Sequence, residues 1–141
     1  MKSYKFIEHT ADVLFEAKGN NLNELFEQCA LALEDTQVDI NLIKPIETLK
    51  ITGKNKRIDL LLFDFLDDLL FYKDSKQLLF SQFDLDVREV NGQYQLTCQA
   101  YGEKLDLSKH DPKVDAKAIT MHLFEVKKTA KGWQAKVLVD I

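Results

Sequence analysis

Two cysteines, two prolines and five glycines are all that this 141-residue chain carries of those residue types. Cys29 and Cys98 lie far apart and make no Cys-x-x-Cys, so they read as buried free thiols in a reducing cytoplasm rather than a bridge. The glycines are dispersed, which excludes a glycine-rich phosphate loop. No apolar run approaches the length of a membrane span, and the opening residues lack the apolar middle and small-residue cleavage site of a signal peptide. The expectation is a cytoplasmic protein without a membrane partner. A formal net charge of −4 leaves no broad basic field, so tight direct binding of nucleic acid is disfavoured. His9, His110 and His122 show no His-x-x-x-His spacing, and each reads as a hydrogen-bonded or surface histidine. No serine or cysteine nucleophile can be assigned a base. Nothing in the residues argues for an independent catalyst.

What is present is a core. Hydrophobic residues make up 45% of the chain, enough for one domain over residues 1–141. Residues 4–18 read as one extended segment, or two short ones split near His9-Thr10-Ala11. Asn21 is a good N-cap with Glu24 three residues on, opening a helix to about Asp35 whose apolar face is Leu22, Leu25, Phe26, Cys29 and Leu33. Residues 47–53 alternate as a strand. A second helix is expected over 57–73, apolar over more than half its circumference and therefore the central buried one, with Asp64, Asp67 and Asp68 as its solvated face. From Leu79 onward the pattern is β. A hairpin turns at Asn91-Gly92, residues 102–115 form the longest loop, and a last hairpin crosses 127–131. The fold class is α+β, a single domain with two helices packed against a mainly antiparallel sheet of six or seven strands.

The candidate site lies at the two ends. Asp12 interrupts an apolar, strand-prone run, and Asp140 stands one residue from the α-carboxylate of Ile141. If folding brings them together, these oxygen anions need a cation or a partner's basic residue. Hard oxygen ligands suit Mg²⁺, Mn²⁺ or Ca²⁺ rather than zinc. Taken alone, Asp12 reads rather as a carboxylate bonding local backbone at a strand kink, and Asp140 has a similar reading as a polar residue at a fraying end. Lys117 is either a lysine that guards a sheet edge or a cation facing phosphate or a partner's carboxylate.

The opening Phe6-Ile-Glu-His-Thr-Ala-Asp-Val, the Leu-x-Glu-Leu-Phe-Glu-x-Cys-Ala-Leu-Ala helix, the stretch from Arg57 to Phe71, Gly102-Glu, His110, Lys117-Ala-Ile-Thr-Met-His122 and the closing Val137-Leu-Val-Asp-Ile141 together resemble the archease family over the full chain. That resemblance implies a non-catalytic activator of the RtcB-type RNA ligase, promoting its guanylylation and multiple turnover in tRNA splicing and RNA repair. It also implies a divalent-metal site at Asp12 and Asp140, completed by Ile141, and a functionally important lysine at Lys117. Met121 stands where family members commonly carry an aromatic ring. Two other readings compete: a metal-dependent phosphoester hydrolase using the same acids, and a chaperone-like binding module.

Overall fold

Asn21 Oδ1 accepts from the Glu24 N–H at 2.9 Å, and the Glu24 carboxylate accepts from the Asn20 N–H at 2.9 Å. This reciprocal cap starts α1, Leu22–Gln37. A computed structural model describes residues 1–9 and 11–141; Thr10, part of the expected break in the first strand, lies outside the described residues. On either side of that break run β1, Ser3–Ile7, and β2, Val13–Gly19. After α1 come a short 3-10 turn, β3 (Glu47–Asn55) and α2 (Ile58–Lys76). Then follow β4 (Leu78–Val90), β5 (Gln93–Lys104), β6 (Ala118–Thr129) and β7 (Gly132–Asp140).

The seven strands divide into two antiparallel sheets, β1-β2-β7-β6 and β3-β5-β4. Both helices pack against both sheets: α1 touches β2, β7 and β4, and α2 touches β6, β3 and β4. The α+β class with two helices therefore holds, with a divided sheet and one core shared by all layers. No helix of the described residues is long and apolar enough to cross a membrane.

Several local details differ from the sequence pattern. The central helix is α1, not α2. Ten α1 residues are buried, including Gln28, Glu34, Thr36 and Gln37, against six in α2. Leu-rich α2 leaves Asp64, Asp67 and Phe71 in solvent, whereas the small Ala30 and Ala32 let α1 sit between the two sheets. Both helices also run past their expected ends. Lys113 N–H reaches the Gln37 carbonyl at 2.7 Å and so satisfies an α1 end group, while α2 closes at Gln77 in the left-handed region, φ 56°. The last hairpin turns on Ala130 and Lys131 alone, because Lys127 and Lys128 pair with Gln134 and Trp133. Asn91 and Gly92, at φ 52° and 79°, make the expected tight turn.

The segment from 105 to 117 has no regular structure but is held from within. His110 is buried; its Nδ1 accepts from Asp106 N–H at 2.9 Å, which places the ring proton on Nε2, 3.1 Å from Glu103. Glu103 also accepts from Lys44 N–H at 2.7 Å and Lys109 Nζ at 2.6 Å. Burial would raise its pKa, but the bonds from Lys109, Lys44 and His110 overcome that and hold it down at about 2. A depressed acid stabilises the fold above its unfolded value of 4.5 and loses that contribution as pH falls toward 2. Glu103→Gln is therefore expected to lower the thermal midpoint at neutral pH and to converge with the parent in acid. Thermal melts across pH check this, and a gap that stayed constant would refute the network's role.

Candidate metal and partner site

The pairing of β2 with β7 decides the geometry. Val13 lies opposite Val139 and Leu14 opposite Leu138, so the register brings β2, the second strand, and β7, the last, side by side at the centre of the sheet. Asp12 directly precedes β2, and Asp140 is the last residue of β7. They stand at the same end of the same strand pair.

Strand alternation then sets the faces. Val13, Phe15, Val137 and Val139 pack on the core side. The period of two carries Leu14, Leu138 and Asp140 to the other face, and Asp12 stands in the bend just before Val13. Ile141 packs its side chain against the core, which fixes the main chain just beyond Asp140.

Asp12 is half-buried and Asp140 exposed. Among the described residues neither carboxylate takes part in a hydrogen bond or an ion pair. The remaining member arrives from β6. Ala118 pairs with Asp140, and the Lys117 N–H donates to the Asp140 carbonyl at 2.8 Å. Lys117 is exposed and its ammonium has no bonded partner among the described residues.

Thus the structure places all four expected residues, Asp12, Asp140, Ile141 and Lys117, around one end of the four-stranded sheet. It does not gather the histidines there as a ligand set. His9 is exposed at the rim of an open groove of about 420 Å³ beside Asp12, walled by Phe6, Ile7, Val13 and Lys113. His122 is exposed in the irregular part of β6, and His110 belongs to the Glu103 network.

The donors are oxygens only, the chemistry of a hard divalent cation. Among the described residues no three His, Cys, Asp or Glu side chains form a metal-sized cluster. A cation here would rest on two aspartates and the main-chain end, far short of the six to eight oxygens that calcium takes. Water or a partner would have to supply the rest.

Sequence reasoning missed Lys73. Its Nζ, at the end of α2, donates to Asp115 Oδ1 at 2.8 Å and to the Ala116 carbonyl at 2.7 Å, immediately before Lys117. A lysine in the last turn of a helix carries no pattern that could reveal a partner more than forty residues away.

A family model described as the Archease protein family matches residues 4–141. The archease of Methanosarcina barkeri is 39% identical over 141 residues, covering 99% of this chain and 97% of that protein. That of Pyrococcus abyssi is 37% identical over 142 aligned positions, with full coverage of both. Among solved structures, the solution structure of Methanobacterium thermoautotrophicum protein 1598 superposes with a TM-score of 0.87 at 33% identity, covering 98% of each chain. The crystal structure of an archease from Thermotoga maritima, described as a possible chaperone, shares the fold with a TM-score of 0.61 at 22% identity, covering 97% of this chain and 96% of that one. Matched from its fourth residue to its last, and at 37% and 39% identity to these two relatives over nearly their whole length, this chain is a member of the archease family.

Proposed function

We propose that this archease is a non-catalytic activator of an RtcB-type RNA ligase in the cytoplasm, promoting guanylylation and multiple turnover in tRNA splicing and RNA repair. Asp12, Asp140 and the Ile141 carboxylate hold a divalent ion, Ca²⁺, Mg²⁺ or Mn²⁺, and Lys117 faces the ligase or a phosphate. The single observation that supports this reading is the pair of aspartates from opposite ends of the chain at one end of β2 and β7, with no protein partner among the described residues. Carboxylates brought close without a counter-charge repel each other, and a cation relieves that repulsion.

The incompleteness of the ligand set fits an activator better than a stand-alone metalloenzyme. Asp12, Asp140 and the Ile141 carboxylate would hold the ion through few oxygens, leaving the rest of its ligands to the docked ligase. Bound there, the ion would supply positive charge for the triphosphate of the ligase's nucleotide. Lys117, exposed and bonded among the described residues through its backbone alone, stands at the same end of the sheet, where it can meet a phosphate.

The test is a multiple-turnover ligation assay with Asp12→Ala and Asp140→Ala, each verified as folded by circular dichroism. Stimulation is expected to fall on the order of 10-fold or more. The same variants should matter for nucleotide-free ligase and not for ligase that is already guanylylated. Parental stimulation by either folded variant would end the assignment.

The exposure of Met121 (54%) and Leu123 (44%) on β6 favours a second reading, a chaperone-like binder of apolar surface. It predicts that Asp140→Ala leaves activity intact while Met121→Ser reduces it.

A further inference from the structure

The irregular segment that delivers Lys117 is tied to the ends of β5, α1 and α2. His110 ties it to Glu103 at the end of β5. Lys113 ties it to the end of α1, through its N–H to the Gln37 carbonyl at 2.7 Å and its Nζ to the Asp35 carbonyl at 2.9 Å. Lys73 ties it to the end of α2. Of the three, the Lys73 fastening is nearest to the candidate site.

Lys73 has three N–H donors and three close acceptors: Asp115 Oδ1 at 2.8 Å, the Ala116 carbonyl at 2.7 Å and Asp74 Oδ1 at 2.8 Å. Its side chain is only 14% exposed, but the side chains of Asp115 and Asp74 are 71% and 61% exposed, so the ion pairs themselves are solvated and contribute little beside the bond to the Ala116 carbonyl. Ala116 is fully buried. One residue later, the Lys117 N–H closes onto the Asp140 carbonyl at 2.8 Å. The path from α2 to the site therefore runs through one ammonium, one buried peptide carbonyl and one backbone bond.

Burial works against a charge on Lys73, but Asp115 and Asp74 more than offset this and keep it protonated. Without that ammonium the Ala116 carbonyl loses its donor. Asp74 and Asp115, which share the same cation, are left facing each other. Both changes push the segment away from α2 and loosen Lys117 against Asp140.

Building on the activator reading above, we infer that Lys73 is a positioning residue, fixing Lys117 beside Asp140 so that stimulation of the partner ligase depends on the end of α2. It touches no metal or partner itself and acts through Lys117.

Lys73→Met, Lys73→Arg and Asp115→Asn test this in the full chain, with three readouts. Amide hydrogen exchange at Lys117 in Lys73→Met should rise about tenfold or more while the amides of Val13 and Val139 stay as protected as in the parent. Stimulation of ligase guanylylation should fall roughly tenfold in Lys73→Met, fall less in Asp115→Asn, and recover substantially in Lys73→Arg. Binding of Mn²⁺ to the isolated chain should change by less than about twofold, because the ligands are on β2 and β7. Adding Lys73→Met to Lys117→Ala should cost no further stimulation.

A folded Lys73→Met chain with a protected Lys117 amide or with parental stimulation overturns the inference, as does an additive double variant. If Lys73→Met fails to fold, Asp115→Asn decides by the same readouts. Parental stimulation by Lys117→Ala brings down the role of Lys117 and this inference together. An inactive Lys117→Ala beside a fully active Lys73→Met brings down the inference alone.

Discussion

Gly102→Ala is expected to cost about 3 kcal/mol of stability or more, and to abolish folding if the strand cannot shift. Gly102 sits in β5, the middle strand of its sheet, paired with Glu47 on one side and Phe80 on the other. A Cβ built there would stand 1.8 Å from the Leu79 carbonyl oxygen and 2.7 Å from the Phe80 Cα. Those are backbone atoms, so no side-chain rotation relieves the overlap. The cause is the irregularity in β4 between Phe80 and Gln82, where an extra residue presses the strand onto its neighbour. The denaturant midpoint checks the prediction, and an unchanged midpoint would mean that β4 and β5 are not pressed together at this point.

The same bulge accounts for the other large effect. Phe80 turns its N–H into the core, where Glu34 Oε2 accepts it at 3.0 Å. Glu34 is fully buried, and its Oε1 has no hydrogen-bond partner among the described residues. Burial raises its pKa to about 8, against the opposing pull of the Phe80 N–H and the Lys73 charge. The sign follows from linkage. Between 4.5 and about 8 the folded chain keeps a proton that the unfolded chain has released, so stability declines as pH rises through that window.

Glu34→Gln retains an acceptor for Phe80 and removes the titration. It should match the parent near pH 4.5 and exceed it at pH 8 by about 2–4 kcal/mol, within the limit of about 1.4 kcal/mol per pH unit. Chemical denaturation at the two pH values measures this. A difference independent of pH would show that Glu34 is ionised in the folded state. Glu34 and Glu103 thus oppose each other, the first destabilising toward alkaline pH and the second toward acid.

Local chemistry was legible in the residue order. Asn21 with Glu24, and Asn91 with Gly92, act through backbone groups within a few positions, so their roles survive any tertiary arrangement. The aspartates were legible as candidates because a carboxylate in a strand pattern is costly without a counter-charge. The motifs at both ends also resembled one family. Helix rank was not legible: apolar coverage pointed to α2, but burial depends on which helix both sheets enclose, and that is α1.

The sequence by itself determined the identities of the donors, the helix starts, the tight hairpin turn and the α+β class. Only the tertiary structure decided that β2 pairs with β7, which makes Asp12 and Asp140 neighbours across more than a hundred residues. It alone revealed that Lys73 holds the approach to Lys117 and that Glu34 is sealed beneath a bulge. The physical reason is range. Caps and turns are set by bonds between near neighbours in the chain, whereas strand pairing and burial are set by which surfaces exclude water together.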